Sequence, residues 1–159
     1  MIVYKSVRLR SESTGRGFDD HEIYMNHPND YVLQSLVVLH KDARVTYPVG
    51  EWAHTHEWLG VQGYYLTAFA EEHLAITFIK SMRMDATAVV FEAETDVEVP
   101  LLSLPRCGIP YYLNPLSRIQ IAHYTWPSLT VMAKRLRLTR CVWSKIVYPP
   151  LSIACTEWP

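Results

Sequence analysis

The sequence contains few cysteines and no long hydrophobic run. Its three cysteines, Cys107, Cys141 and Cys155, are widely spaced and form no CxxC pair. This spacing argues against a disulfide framework and against a cysteine zinc centre, and we expect buried free thiols. No segment has the roughly 18 to 20 consecutive apolar residues that a membrane-spanning helix requires. The sequence therefore predicts no contact with a membrane.

The chain also lacks the signals of secretion and of phosphate binding. Its opening residues, MIVYKSVRLR, have no signal-peptide core and no small-residue cleavage site. The glycines at Gly15 and Gly17 are not followed by the Gly-Lys-Ser/Thr of a phosphate loop. We therefore expect a cytoplasmic protein, and we predict no cofactor.

Length and composition indicate one domain over residues 1–159. Hydrophobic residues make up 49% of the chain and charged residues 19%, which is enough to form a core and argues against disorder. Ten tyrosines and five tryptophans are many for 159 residues, and such side chains favour half-buried sheets and contact surfaces. Four prolines at five-residue intervals predict an extended, wrapping segment at about 100–116.

The charge of the chain is divided between its two parts. Residues 1–99 carry eight lysines and arginines against fifteen acids, whereas residues 100–159 carry seven against one. Such a division brings the two parts together in the fold, or it steers a charged partner to one face. Both alternatives remain open from the sequence.

Acidic residues alternate with apolar ones in the segment AVVFEAETDVEV. This period of two predicts a strand with Val89, Phe91 and Ala93 on its buried face. The opposite face carries four carboxylates, Glu92, Glu94, Asp96 and Glu98. That face is either solvated, or the docking site of a basic surface, or a site for a hard cation.

Two segments have the spacing of amphipathic helices. In the first, at about 68–82, Thr67 is the candidate N-cap, and Leu74, Phe78 and Met82 form an apolar row. In the second, at about 128–139, Leu129, Met132, Ala133 and Leu136 recur at helical intervals. The second segment carries a basic surface formed by Lys134, Arg135, Arg137 and Arg140.

These elements predict an α+β domain. We expect a mainly antiparallel sheet of five to seven strands, with helices at about 68–82 and 128–139. The basic second helix raises nucleic acid as a partner, but the sequence pI of about 6.6 does not favour it. Another protein, or a second copy of this chain, is the predicted partner.

A pair of histidines raises the question of a metal site. His54 and His56 are two residues apart, so on a strand both imidazoles would lie on one face. The segment resembles the cupin motif, in which a His-x-His pair supplies two metal ligands. Here Glu57 follows His56 directly and would face the other side, so a third ligand would have to come from elsewhere.

The run GYYLT followed by a helix and a strand resembles a pattern in ADP-ribosyltransferase-like proteins, over about 30 residues. The resemblance implies that Gly63, Tyr64 and Tyr65 lie where that family stacks on nicotinamide, with Arg8 available to hold the nucleotide. A longer stretch of about 90 residues, from VTYPVGEWAH through GYYLTAFAEEHLAITF to VVFEAE, resembles small uncharacterised phage and bacterial proteins. If the chain is phage-encoded, the expected location is the host cytoplasm or a virion. That second resemblance implies an origin but no activity.

The sequence therefore favours a non-enzymatic protein-interaction protein, of phage or mobile-element origin, that acts as a virion component or binds a host factor. The predicted docking surfaces are the four-acid strand face, the proline-rich segment, and the aromatic loop 51–65 with Trp52, Trp58, Tyr64 and Tyr65. An ADP-ribosyltransferase-like enzyme using a nicotinamide dinucleotide is the first alternative, and a metal-binding protein using His54 and His56 is the second.

Overall fold

The structure is a computed structural model. It describes residues 1–12, 31–36, 44–61, 65–85, 87–95, 98–99, 107–112, 120–124 and 129–145, and of these it describes 98–99, 107–112 and 120–124 by their backbone alone. Within these ranges the chain forms ten strands and two helices. The strands are β1 (Ile2–Ser11), β2 (Tyr31–Ser35), β3 (Trp52–His54), β4 (Leu66–Phe69), β5 (Ala88–Glu94), β6 (Glu98–Val99), β7 (Cys107–Tyr112), β8 (Gln120–Tyr124), β9 (Thr130–Ala133) and β10 (Arg135–Ser144). The helices are α1 (Glu57–Gly60) and α2 (Glu72–Ser81).

An antiparallel sheet organises these elements, and the predicted α+β class is confirmed. Seven of its strands follow one another in the order β3-β10-β5-β1-β4-β9-β6, and β2 also pairs with β1. Strands β7 and β8 form a separate antiparallel pair. Of the helices in the described ranges, neither is long and apolar enough to cross a bilayer.

Strand β1 is the centre of the sheet. One of its edges pairs with β5 from Ile2 to Arg8. The opposite edge is shared, because β4 pairs with it at Tyr4 and β2 pairs with it from Val7 to Ser11. A strand paired along both edges has few free backbone groups, which allows most of β1 after Ile2 to be buried or half-buried on both faces.

One face of the sheet, which we call the inner face, holds the larger apolar cluster. Alternating residues of three adjacent strands supply most of it: Val3, Val7 and Leu9 of β1, Val89, Phe91 and Ala93 of β5, and Leu136 and Leu138 of β10. The cluster also includes Val45 and Tyr47, from a segment that pairs with β2 through the Tyr47 N–H and the Leu33 carbonyl at 2.8 Å. The predicted alternation of buried apolar residues with acids on β5 is confirmed as far as Glu94.

The other face, which we call the helix face, is partly covered by α2. Ala75, Phe78 and Ile79 are the buried residues of this helix, and they pack against apolar residues of β5 and β4. The Phe69 and Phe78 ring centroids lie 5.3 Å apart, and the Ser6 hydroxyl donates to the Ala75 carbonyl at 2.9 Å. The predicted apolar row thus lies on the sheet as expected.

The first predicted helix begins four residues later than expected. Thr67, the candidate N-cap, lies in β4, which pairs with β9 from Leu66 to Phe69. Glu71 is the N-cap residue instead. The run Leu66–Phe69 is apolar enough for either element, and its hydrogen bonds to β9 decide for the strand.

The predicted helix at about 128–139 is wrong, because this segment contains β9 and the first half of β10. Met132 and Leu136 fit a helical period, but Leu136 and Leu138 also alternate with Arg135 and Arg137 at the period of a strand. Pairing of β10 with β5 buries both leucines on the inner face. The basic residues of this segment therefore lie on strands.

The prediction of four acids on one strand is also wrong. Strand β5 ends at Glu94, whereas Glu98 belongs to β6, which pairs with β9 at the far end of the sheet. Asp96 lies outside the described residues. Of the four acids, the described residues place Glu92 and Glu94 alone together on the face of β5.

Two further predictions concern proline and cysteine. In the proline-rich segment, Cys107–Tyr112 forms β7, which is extended as expected, and the rest of 100–116 lies outside the described residues. Cys141 is buried and is disulfide-bonded, so the prediction of a free thiol is wrong for this residue. Wide spacing in the sequence does not exclude a disulfide, because strand pairing can bring distant cysteines together.

Candidate functional site

A row of side chains crosses the part of the helix face that lies beyond the α2 contacts. Cα pairing places Ile2 of β1 beside Glu94 of β5, Glu94 beside Arg137 of β10, and Arg137 beside Trp52 of β3. We call these four residues the Trp52 row. Because β3 is the end strand of the described sheet, Trp52 stands at its edge.

Two guanidinium groups hold the indole of Trp52. The Cζ atoms of Arg135 and Arg137 lie 4.3 and 4.9 Å from the ring centroid. Such cation–π contacts contribute about 0.5–1 kcal/mol at exposed positions and more when they are desolvated. These contacts fix the orientation of the ring. Because Trp52 is half-buried, part of the ring remains open to solvent.

Arg137 links the indole to the acid of the next strand. Its Nε donates to Glu94 Oε2 at 3.2 Å, and its Nη2 donates to the same oxygen. Both side chains are a little over one-third exposed, which places the ion pair at the surface, where it contributes about 1 kcal/mol or less. Its main consequence is geometric, because it fixes the guanidinium that lies against Trp52.

A second ion pair lies beside this row. Arg140 Nη2 donates to Glu92 Oε2 at 2.9 Å. A shift in the pairing of β10 with β5 at Thr139 puts Arg140, rather than Thr139, opposite Glu92, and the Thr139 hydroxyl donates to the Glu92 carbonyl at 3.0 Å. The acids of β5 are therefore neutralised by arginines of the same chain.

The far end of the Trp52 row is apolar and exposed. Ile2 is 48% exposed and Met1 is 57% exposed. The terminal ammonium of Met1 donates to the Thr95 carbonyl at 3.0 Å, so this end of the chain is tied to the sheet. The row thus offers an aliphatic side chain, an ion pair and an indole in one line.

A second polar feature of the helix face is a cluster of three arginines. Arg8 and Arg10 follow Ser6 on this face of β1, and Arg44 precedes the segment that pairs with β2. Arg10 is only 4% exposed. Burial lowers the pKa of Arg10 to about 10, and the charges of Arg44 and then Arg8 add to the effect.

The inner face contains a buried lysine. Lys5 is 6% exposed and takes a position between Val3 and Val7 in the core. Its Nζ donates to the Thr67 carbonyl at 2.6 Å and lies 5.2 Å from the centroid of the Tyr47 ring. Burial lowers the pKa of Lys5 to about 7.

Tyr47 beside this lysine is also fully enclosed. Burial raises the pKa of its phenol, and a side-chain hydrogen bond with Ser35 opposes that rise. The Ser35 hydroxyl oxygen in turn accepts the Val45 N–H at 3.0 Å. Lys5, Tyr47 and Ser35 thus form a small polar group inside an apolar core.

The two predicted metal-binding histidines do not share a strand. His54 ends β3 and is exposed, whereas His56 is the N-cap residue of α1. The Nε2 of His56 lies 2.6 Å from the Arg44 carbonyl oxygen, and its ring stacks on Trp58 at 6.2 Å. In the described ranges, no group of three or more histidine, cysteine, aspartate or glutamate side chains is placed to hold a metal ion.

The structure separates the other residues predicted for binding. Trp58 is half-buried on α1, Tyr65 is half-buried before β4, and Lys134 is exposed between β9 and β10. Gly63 and Tyr64 lie outside the described residues. Of the predicted aromatic loop and the predicted basic surface, Trp52, Arg135 and Arg137 are brought together.

Sequence reasoning missed the buried positions of Lys5 and Arg10. The signal for Lys5 was present, because its place between Val3 and Val7 in a period-2 strand puts it on the face of the core. Arg10 is buried by its place in the sheet and by segments of this chain that are distant in sequence, such as the one that contains Arg44. The local sequence pattern does not show these contacts.

Comparison of the chain with family models, with curated proteins and with solved structures finds no match. The resemblances to phage proteins and to ADP-ribosyltransferases therefore stay predictions.

Proposed function

We propose that this chain is a non-enzymatic protein-interaction protein that docks its partner on the Trp52 row. The observation that carries the proposal is Trp52, which two arginines hold in a fixed orientation at the edge of the sheet. Tryptophan and arginine are the residue types most enriched among the side chains that dominate binding energy at protein interfaces. A held ring also loses little side-chain entropy on binding.

The apolar end of the row supports the same function. Ile2 and Met1 are among the few large hydrophobic side chains that are exposed in the described ranges, and Ile2 continues the line of Trp52, Arg137 and Glu94. The row thus has an exposed aliphatic side chain at one end and a half-buried indole at the other, with the Glu94–Arg137 ion pair between them. Interfaces commonly combine apolar and charged side chains in this way.

The acids of β5 do not carry the proposal. Glu92 and Glu94 are each paired with an arginine of β10, so a basic partner would have to displace Arg140 or Arg137 to reach them. We therefore place docking on the Trp52 row rather than on the acidic strand face. The partner's surface then presents apolar side chains toward Ile2 and toward Trp52, at the two ends of the row.

A matched pair of variants tests this assignment. Ile2→Asp places a charge in the row, and Val61→Asp places the same charge on another exposed aliphatic residue, which is 79% exposed and lies at the end of α1. Both changes leave the described core untouched. We expect native affinity recovery of bound protein from the source cells to fall at least about tenfold for Ile2→Asp and to stay unchanged for Val61→Asp.

Sedimentation of the purified protein identifies the case in which the partner is a second copy. If Ile2→Asp shifts a dimer to monomers, the row binds a second copy of this chain. Equal recovery with both variants, at equal thermal stability and with no change in oligomeric state, would refute docking on the Trp52 row.

A further inference from the structure

Strand β1 changes partner along one of its edges, and the change leaves a seam in the sheet. On that edge β4 pairs with β1 at Tyr4, and β2 pairs with it from Val7 onward. Between these two pairings, Lys5 and Ser6 pair with β5 alone in the described ranges. The residues of β4 that precede Phe69 pair with β9 alone in the same ranges. The two strands therefore separate at Lys5.

Two side chains of β1 supply hydrogen bonds where the β1–β4 ladder stops. The Nζ of Lys5 donates to the Thr67 carbonyl of β4 at 2.6 Å. Had the antiparallel pairing continued, Thr67 would lie opposite Ser6. The Ser6 hydroxyl instead donates to the Ala75 carbonyl of α2 at 2.9 Å. The Lys5 amine thus joins β4 to β1 where backbone pairing does not.

The surroundings of this amine favour its neutral form. Lys5 is 6% exposed, and burial lowers its pKa from 10.5 to about 7, with no charged side chain of the described ranges contributing to the shift. The other titratable groups of the described residues that form or border the inner-face cluster are Tyr47, Tyr31 and Cys141. Burial raises the pKa of both phenols, so both are neutral near pH 7, and Cys141 is disulfide-bonded. An ammonium at this position is therefore buried without a counter-charge among the described residues.

We propose that the Lys5 amine and the Thr67 carbonyl form a proton-sensitive latch, and that protonation of the amine releases the Leu66 end of β4 from β1. The other end of β4 stays fixed, because Phe69 pairs with β1 and packs against α2. The pairing of β4 with β9 does not involve the amine, so the two strands move together.

Release of the latch uncovers part of the inner face. Leu66 and Ala68 of β4 and Ala133 of β9 then leave the apolar cluster, and the Lys5 ammonium reaches water. In hydrogen-bonding order, β4 and β9 lie on the opposite side of β1 from β5, β10 and β3, which carries Trp52. The latch therefore goes beyond docking on the Trp52 row, and the two can fail independently of each other.

The direction and size of the pH effect follow from linkage. The open form binds a proton more tightly than the closed form, because the hydrated amine regains its ordinary pKa. The ratio of open to closed molecules therefore rises as the pH falls from about 10.5 to about 7, and it levels off below that range. With these two pKa values, the rise between pH 8.5 and pH 6.5 is about 25-fold if the amine reaches water fully.

Thiol labelling of the variant Ala68→Cys measures the opening. Ala68 is 0% exposed on the inner face of β4, and Ala88→Cys is the matched control because Ala88 is equally buried on β5. The labelling rate of the urea-unfolded chain divided by that of the folded chain gives the protection of each thiol, and the pH dependence of thiol reactivity cancels. From pH 8.5 to pH 6.5 we expect protection at position 68 to fall at least about threefold, and by up to about 25-fold. At pH 6.5 it should be at least about threefold lower than at position 88.

Lys5→Met distinguishes a proton-sensitive latch from a purely structural role of this side chain. Methionine cannot gain a proton, so the pH dependence of protection at position 68 should disappear in Ala68→Cys combined with Lys5→Met. The proposal is overturned if protection at position 68 falls less than about threefold with Lys5 present, or if the fall persists with Lys5→Met. Protection at positions 68 and 88 that agrees within about threefold at pH 6.5 would also overturn it, because global unfolding alone would then expose the amine.

Discussion

Lys5 provides a quantitative test of burial on the inner face, because its amine lies in an apolar core that destabilises a positive charge. Burial lowers its pKa from 10.5 to about 7. Below about pH 7 the amine is protonated in both the folded and the unfolded chain, and the full cost of the buried cation is present. Between about pH 7 and 10.5 the unfolded chain binds a proton that the folded chain does not, so stability rises with pH.

The size of this rise follows from the width of the interval. Each pH unit contributes at most about 1.4 kcal/mol to the free energy of unfolding, so a ceiling of about 2.7 kcal/mol separates pH 7.5 from pH 9.5. Lys5 is almost fully buried, so little solvent screening reduces this figure. The upper end is set by Tyr47, whose raised pKa makes the fold lose stability once the unfolded phenol ionises, near pH 10.

Urea unfolding at pH 7.5, 8.5 and 9.5 measures the effect in the wild type and in Lys5→Met. Methionine keeps the length of the side chain and cannot titrate, so the rise with pH should disappear. Lys5→Met also leaves the Thr67 carbonyl without the lysine donor, which costs about 1–2 kcal/mol at every pH. Because the wild type gains stability as the pH rises and Lys5→Met does not, any advantage of the variant at pH 7.5 should be lost by pH 9.5. The control is Lys134→Met, which removes an exposed amine and should keep the wild-type slope. A wild-type stability that is flat over this range, or a slope that Lys5→Met retains, would refute the buried, deprotonated amine.

Three further predictions concern single contacts. Glu92→Gln should lower the free energy of unfolding by about 1 kcal/mol or less, because the ion pair with Arg140 is at the surface, and a loss of several kcal/mol in urea unfolding would contradict this. A thiol assay in denaturant without reductant should find one free cysteine of three, since Cys141 is disulfide-bonded, and three free thiols would show that it is not. Arg83→Gly should raise the unfolding temperature, because Arg83 has a φ of 55° at the position after the C-cap residue of α2, where glycine is favoured, and a lower temperature would refute this account of the turn.

Much of the fold could be predicted where a single period fits the sequence. The alternation of Val89, Phe91 and Ala93 with acids identifies β5, and the apolar row from Leu74 to Phe78 identifies α2. The segment that contains Leu136 and Leu138 fits both a helical and a strand period. Its pairing with β5 decides between them, and that pairing is a long-range property of the fold.

The site could be predicted as a set of residue types but not as an arrangement. Trp52, Arg135 and Arg137 are identified from the sequence as contact residues, but on separate surfaces. The register of β3 on β10 brings them together, and the shift at Thr139 puts Arg140 on the same face as Glu92. Neither the register nor the shift has a signal in local composition.

Photo-crosslinking from the Trp52 row tests the proposed function most directly. A benzophenone amino acid replaces Ile2 or Trp52 in turn, and the control position is Val61, which is more exposed than either. After irradiation in the source cells, we expect one discrete adduct from positions 2 and 52, with the same partner protein, and none from position 61. Adducts of equal yield from Val61, or no adduct from either row position in a folded protein, would contradict docking on the Trp52 row.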